Sequence, residues 1–253
     1  MSFSTAINGV LDRLGGFRSK FNSAIILAGG SGTRAGGITT KQLTPLLGIP
    51  VIVRTVNVFE SCKFINEIII VAKADEVHLY KEFAITYGWK KVREVVVGGN
   101  SRQKSVLNGF KRISDKSQYV YIHDGARCLI TEEMIADVGH AAAVHGAAIA
   151  AQRATDTVKI KNGRSLTTPD RETVWLAQTP QVFKTEMYRA AAYSAIKNKT
   201  SVTDDASLCE ALGFEVVPVD CTSQNIKITT PYDFAIAEAI LNYREAEGNN
   251  GNQ

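Results

Sequence analysis

The chain has 253 residues, 45% hydrophobic and 21% charged, with a formal net charge of +4. Such a composition is ordinary for a soluble globular protein and supplies apolar residues for a core of normal size. The excess of positive charge forms no basic run of five, so no nucleic-acid stripe is indicated, and a small anionic substrate is enough to account for it.

Cys62, Cys128, Cys209 and Cys221 are widely separated and form no C-x-x-C pair, and the four histidines show no ligand spacing with them. Neither a disulfide framework nor a zinc site is expected. Residues 1–21 lack a cationic start followed by an apolar run, and the richest apolar stretch, 141–151, is about half a bilayer span. A cytoplasmic protein of a reducing compartment is the expectation.

In chain order, residues 1–21 form an extension with no readable function. From Ser23 short apolar runs alternate with longer amphipathic ones: Ala24-Ile25-Ile26-Leu27, Ile68-Ile69-Ile70-Val71, Val95-Val96-Val97, Tyr119-Val120-Tyr121-Ile122, Ala147 to Ala151 and Phe214 to Val219. Continuous apolar runs imply burial on both faces, which parallel strands under helices require. Helical patterns fill the intervals at 51–62, 104–113, 131–145, 184–197 and 232–243. The alternation predicts a Rossmann-like, doubly wound α/β fold with a mostly parallel sheet over residues 22–244. Residues 153–183 break the rhythm. Thr157 to Ile160 reads as a half-exposed strand, Lys161-Asn162-Gly163-Arg164 as a hairpin turn, and Thr173 to Leu176 as the returning strand. This arm is expected to pack on something else, such as a second subunit. Residues 245–253, rich in Gly and Asn, are expected to be a disordered tail.

The main chemical signal is Leu27-Ala28-Gly29-Gly30-Ser31-Gly32-Thr33-Arg34, where a buried strand runs into small residues. Without Cβ obstruction, backbone N–H groups converge on a ligand and suit phosphate. Arg34 and Lys41 add a planar fork and a mobile charge. The segment lacks the Gly-Lys-Ser/Thr of a Walker A loop, and it misses the last glycine of a nucleophile elbow. It does satisfy G-x-G-x-x-A, but the second strand ends in Ala72-Lys73 without the acidic residue of a dinucleotide site. A dinucleotide oxidoreductase and a glycine turn without ligand remain the alternatives for the loop alone.

A second cluster, Gly98-Gly99-Asn100-Ser101-Arg102-Gln103-Lys104-Ser105, opens a helix with Arg102 and Ser105 on one face. A capped helix with a solvated arginine is the other reading. A third, His123-Asp124-Gly125-Ala126-Arg127, ends a strand. A carboxylate there is poorly placed for packing and well placed for a ligand or metal.

Taken in register with Lys41-Gln42, with 178–183 (Gln-Thr-Pro-Gln-Val-Phe) and with 225–229 (Asn-Ile-Lys-Ile-Thr), these segments resemble the 2-C-methyl-D-erythritol 4-phosphate cytidylyltransferase family from about Ser23 to Leu241. The resemblance implies a Mg2+-dependent transfer from CTP and a homodimer that exchanges a protruding β-arm. It implies that Arg34 and Lys41 stabilise charge at the α-phosphate, and that Arg171 and Lys227 position the acceptor phosphate. Thr157, Asp124 and Arg127 would join the acceptor pocket, with Asp124 a candidate metal ligand. Ala28, Gly29, Gly30, Gly32, Gly99, Asn100, Arg102, Ser105 and Gly125 would complete the substrate surface, with Gly29, Arg102 and Ser105 on the cytidine half. Thr157 and Arg171, on the arm, would act in the neighbouring subunit. The chain departs from the family pattern at Thr40 and Cys128, where proline is usual, and at Asn100, where aspartate is frequent. A ribitol-5-phosphate cytidylyltransferase shares most of these motifs, and a catalytically dead nucleotide-binding module would lack at least one of Arg34, Lys41, Asp124 or Lys227. An acceptor phosphate brings its own anionic nucleophile, so neither a serine triad nor a general base is required.

Overall fold

The computed structural model describes residues 20–29 and 40–250. Arg34, Gly30, Gly32 and residues 1–19 of the expected extension lie outside the described residues. β1 (Asn22–Leu27) is followed by a small ribbon, β2 (Pro45–Leu46) and β3 (Ile49–Pro50), and by α1 (Val51–Ser61). Then β4 (Glu67–Ala72), α2 (Val77–Thr86), β5 (Val92–Val97), α3 (Arg102–Phe110), β6 (Tyr119–Asp124), α4 (Glu132–His145) and β7 (Ala147–Arg153) alternate. A hairpin of β8 (Ile160–Asn162) and β9 (Ser165–Thr167) and a 3-10 turn (Arg171–Thr173) precede β10 (Trp175–Lys184). α5 (Thr185–Asn198), α6 (Ala206–Glu210), β11 (Val217–Asp220) and α7 (Pro231–Asn250) complete the order.

The seven-stranded sheet runs β11-β7-β10-β6-β1-β4-β5, and β10 alone runs antiparallel to its neighbours. β4 and β6 are buried at every residue and β1 at all but Leu27, as strands covered on both faces require. The period of two divides them. Ala24, Ile26, Ile68 and Ile70 pack with Val53, Val56 and Phe59 of α1 and Ile135, Val138 and Ala142 of α4. Ile25, Ile69 and Val71 pack with Val106 and Phe110 of α3 and with Tyr188 and Ala191 of α5. Each fully buried isoleucine here contributes about 1.5–3 kcal/mol. The expected doubly wound fold is therefore the observed one.

Chain order runs outward from β1 through β4 to β5, then returns to place β6 on the other side of β1, with Leu27 opposite Asp124. That reversal opens a crevice at the carboxyl ends of β1 and β6, the place where open α/β sheets bind ligands.

Four expectations need correction. The arm hairpin does turn at Gly163-Arg164, but its return strand is β9 rather than 173–176. Trp175 and Leu176 instead pair with Arg153 and Gln152 of β7. The turn residues directly follow β8, so the return begins at once. The tail expected from Glu245 is helical as far as Asn250, since a growing helix adds turns more easily than it nucleates them; Tyr243 Oη also donates to Glu247 Oε1 at 2.6 Å. Val95-Val96-Val97 lies on an edge strand, and Val97 is 50% exposed. β11 is the other edge, and it begins at Val217 rather than Phe214. An edge strand lacks a neighbour's cover, so continuous burial fails there. α2 buries only Tyr80, too weak an apolar stripe to signal a helix in sequence.

Gly109 brings α3 close to the sheet. A Cβ there would lie 2.7 Å from Ile25 Cγ2 and 2.8 Å from Val71 Cγ2, both on stiff branched side chains. Gly109→Ala gains roughly 1 kcal/mol of helix propensity, but overpacking costs about 1–3 kcal/mol. The variant should lower the urea midpoint; an unchanged or higher midpoint would show that α3 can move off the sheet.

Candidate active site

A cavity of about 370 Å³ opens at the carboxyl ends of β1, β5 and β6. Of the residues singled out in the sequence, Gly29, Lys41, Gly99, Asn100, Arg102, Ser105, Asp124 and Lys227 line it. Four segments, from Gly29 to Lys227, thus converge on one surface.

The turn into α3 is built by Gly98 and Gly99. A Cβ on Gly99 would run into Lys104 Cβ, so the close approach requires glycine. Ser101 caps the helix by accepting from Lys104 N–H at 3.1 Å. Ser105 Oγ accepts from Gly99 N–H at 3.0 Å and donates to Ser101 O at 2.8 Å, which locks the turn. Gly125 allows the next turn to press on α1, since a Cβ there would lie 2.6 Å from Ile52 Cδ1.

Asp124 is the electrostatic centre. Lys227 Nζ meets Oδ2 at 2.6 Å and Arg102 Nε approaches Oδ1 at 3.4 Å. Burial alone would raise this carboxyl, but Lys227 and Arg102, aided by Arg127, outweigh it and hold the group well below the usual carboxylate range. Asp124 is therefore ionised throughout the physiological range. Lys227 reaches it because residues 225–229 are strapped down: Asn225 Nδ2 donates to Gln178 Oε1 at 2.9 Å and Thr179 O at 3.0 Å, and Ile228 N–H donates to Ala126 O at 2.9 Å.

Other expected site residues lie apart from the cavity wall. Ala28 is buried, with its N–H on Val71 O at 2.7 Å. Arg127 donates Nη1 to Asn225 O at 2.7 Å and so supports the strap. Thr157 and Arg171 are exposed on the segment between β7 and β10, where Arg171 Nη1 donates to Thr155 O at 3.2 Å. The base of that arm is gripped by Arg153, whose guanidinium lies 4.5 Å from the Trp175 ring centroid.

Sequence reasoning overlooked Thr179, Asp205 and Tyr188 as supports. Thr179 Oγ1 accepts from Asp124 N–H at 3.0 Å and pairs with His123 Nδ1 at 3.1 Å. His123 Nε2 faces Arg127 O at 3.2 Å. That carbonyl can only accept, so Nε2 carries the proton and Nδ1 accepts from Thr179. Asp205 takes Arg102 Nη1 at 2.5 Å and Tyr188 Oη at 2.7 Å. The visible signal for Asp205 was a carboxylate pair set just before the apolar Ala206-Ser207-Leu208-Cys209. All four cysteines are buried and free, and no helix among the described residues is long and apolar enough to cross a membrane.

Among the described residues the switch-point cavity has a glycine turn, several cations and no nucleophile triad, an arrangement suited to group transfer by charge and position, and the chain is a nucleotidyltransferase. A family model for 2-C-methyl-D-erythritol 4-phosphate cytidylyltransferase matches residues 23–243, and the chain belongs to this family. It is an enzyme that transfers a cytidylyl group from CTP to 2-C-methyl-D-erythritol 4-phosphate in isoprenoid precursor biosynthesis. The enzyme of that name from Alkaliphilus oremlandii is 42% identical over 225 residues, covering 88% of this chain and 95% of that protein. The one from Syntrophus aciditrophicus is 44% identical over 227 residues, covering 88% and 96%. The crystal structure of the 4-diphosphocytidyl-2C-methyl-D-erythritol synthase from Anaerococcus prevotii superposes with a TM-score of 0.79 at 32% identity, covering 88% of this chain and 99% of that one. Ribitol 5-phosphate as acceptor is not favoured by these relatives, nor is a dead binding module.

Burial pushes the His123 imidazole down to about 3, and its ring lies against Phe59 at 4.9 Å between centroids. The unfolded chain binds this proton near 6.5. A base depressed on folding contributes stability above its unfolded value, and that stability is lost as pH falls toward the folded value. Between pH 7 and pH 5 this one group should remove about 2 kcal/mol of unfolding free energy. Urea unfolding at both pH values checks it: His123→Gln should lose most of that pH dependence, and an unchanged slope would place the titration elsewhere.

Proposed function

We propose that the cavity at the ends of β1, β5 and β6 is where CTP and the acceptor phosphate meet. The observation that supports this reading best is that Lys41 lines the same cavity as Asp124 and its two cationic partners, Arg102 and Lys227. The chemical obstacle is repulsion between an anionic nucleophile and a triphosphate, and fixed cations lower it without reorganising during the reaction. Lys41, with Arg34 of the glycine loop, serves the charge that grows at the α-phosphate. Lys227 receives the acceptor phosphate, whose oxygen attacks while pyrophosphate leaves. Gly29, Gly99, Asn100 and Arg102 serve the nucleotide. Ser105 acts by holding the Gly99 turn. His123, buried and neutral, is not needed as a base.

Magnesium belongs to this reading. Among the described residues no group of three or more His, Cys, Asp or Glu could hold a metal unaided. The donor set still fits, because Mg2+ is ordinarily held by one or two carboxylates together with substrate phosphates and water. Asp124 is the carboxylate for it, and the ion would neutralise part of the triphosphate charge.

The arm completes the site in a homodimer. Ile160 and Leu166 on the hairpin are 48% and 62% exposed, and an isolated two-stranded ribbon is marginal in water. Packing against a second subunit covers them and carries Thr157 and Arg171 to that subunit's acceptor phosphate.

Pyrophosphate release with CTP and Mg2+ tests the reading, with methylerythritol 4-phosphate and ribitol 5-phosphate side by side. Release is expected with the first alone; release with ribitol phosphate alone would overturn the acceptor. Lys41→Ala and Arg34→Ala should each lower kcat by roughly 10²–10³-fold in folded protein, and near-native turnover in either would remove its role. Arg171→Ala should raise the acceptor KM and leave the CTP KM in place. Mixed Arg171→Ala and Lys41→Ala subunits should regain activity if the arm works across the dimer, and no recovery would confine it to its own subunit.

A further inference from the structure

Arg102 lines the cavity and meets two carboxylates through different nitrogens of its guanidinium. The two contacts are unequal. Nη1 lies 2.5 Å from Asp205 Oδ2, whereas Nε is 3.4 Å from Asp124 Oδ1. Asp205 has a side chain only 2% exposed, at the head of α6, and it is anchored from two other elements. Its Oδ1 accepts from Tyr188 Oη of α5 at 2.7 Å, and its N–H donates to Gln181 Oε1 of β10 at 3.0 Å. The Tyr188 ring is itself fixed between Phe110 and Phe183, at 4.9 and 5.3 Å between centroids.

A buried ion pair is a weak source of stability, since apolar residues of similar volume often serve a fold as well or better. The direction of the pair explains more than its energy. Without Asp205, the Arg102 guanidinium would fall back on Asp124, where Lys227 already sits at 2.6 Å, and two cations would compete for one carboxylate. A planar guanidinium anchored at one nitrogen offers its other N–H groups in a fixed direction.

We propose that Asp205 is a positioning residue for cytidylyl transfer: it draws the Arg102 guanidinium toward α5, α6 and β10, leaves Asp124 to Lys227, and sets the direction in which Arg102 meets the nucleotide. The proposal rests on the assignment of Arg102 to the nucleotide made above. Gln181 and Tyr188 act one step further out, by holding Asp205.

Steady-state kinetics with CTP and methylerythritol phosphate, read beside thermal unfolding, test it. Asp205→Asn should lower kcat/KM for CTP by roughly 10–100-fold, the scale of a misplacement near 1 Å, with the acceptor KM little changed. Placed in an Arg102→Ala background, the same substitution should cost nothing further, because residues that act through one another are not additive. Tyr188→Phe keeps the ring and removes one anchor, and should show the same CTP-specific loss at smaller size. A folded Asp205→Asn enzyme with native CTP kinetics, or an equal loss in the Arg102→Ala background, overturns the proposal. If Asp205→Asn does not fold, Tyr188→Phe decides, and native CTP kinetics there overturn it. Native CTP kinetics in Arg102→Ala itself would instead refute the underlying nucleotide assignment.

Discussion

The ion pair between Asp124 and Lys227 joins the end of a central strand to a loop 103 residues later in the chain, and the site is arranged around it. A sheet covered on both faces leaves polar chemistry few places to go, and the carboxyl ends of β1 and β6 open onto one of them. A carboxylate in that position loses water on burial and must be compensated by fixed cations. Lys227 and Arg102 supply the charge, and they can do so only because the strap at 225–229 and the glycine turn before α3 bring them there. The geometry that compensates Asp124 in the folded protein is the same geometry that offers cations to a polyphosphate.

Around this centre the polar groups form a supporting frame. Thr179 holds both the Asp124 backbone and the His123 ring, Asn225 ties the strap to β10, and Gln181 ties the head of α6 to the same strand. β10 is the one antiparallel member of the main sheet. Its middle residues serve the frame, while its first residues pair with β7 at the root of the arm. One strand thus links the cavity to the segment that carries Arg171.

Much of the fold was legible because it rests on periodicity. The runs at Ala24, Ile68 and Tyr119 announced buried parallel strands, and the residues after the runs at Ala24, Val95 and Tyr119 named three segments that the structure brings together. What failed was governed by neighbours that no local pattern reveals. Val97 is apolar yet exposed, because β5 is an edge strand among the described residues. The return strand of the arm was placed too late, because Trp175 and Leu176 satisfy the same alternation in pairing with β7. Asp205 and Tyr188 were invisible as partners, since their link to Arg102 depends on how α5 and α6 fold over the sheet. Ser105 shows the limit for individual residues: it lines the cavity as expected, yet its hydroxyl is spent on the turn.

Each of the two shortest ion pairs of the site, Arg102 with Asp205 and Asp124 with Lys227, spans 103 residues. On a ribosome adding about 5–20 residues per second, each pair is separated by roughly 5–20 s of synthesis. During that interval Arg102 and Asp124 emerge before the partners that come to bury them. The nascent chain can close its first strands early, but it has no finished cavity to offer a nucleotide until the segment carrying Lys227 has left the exit tunnel.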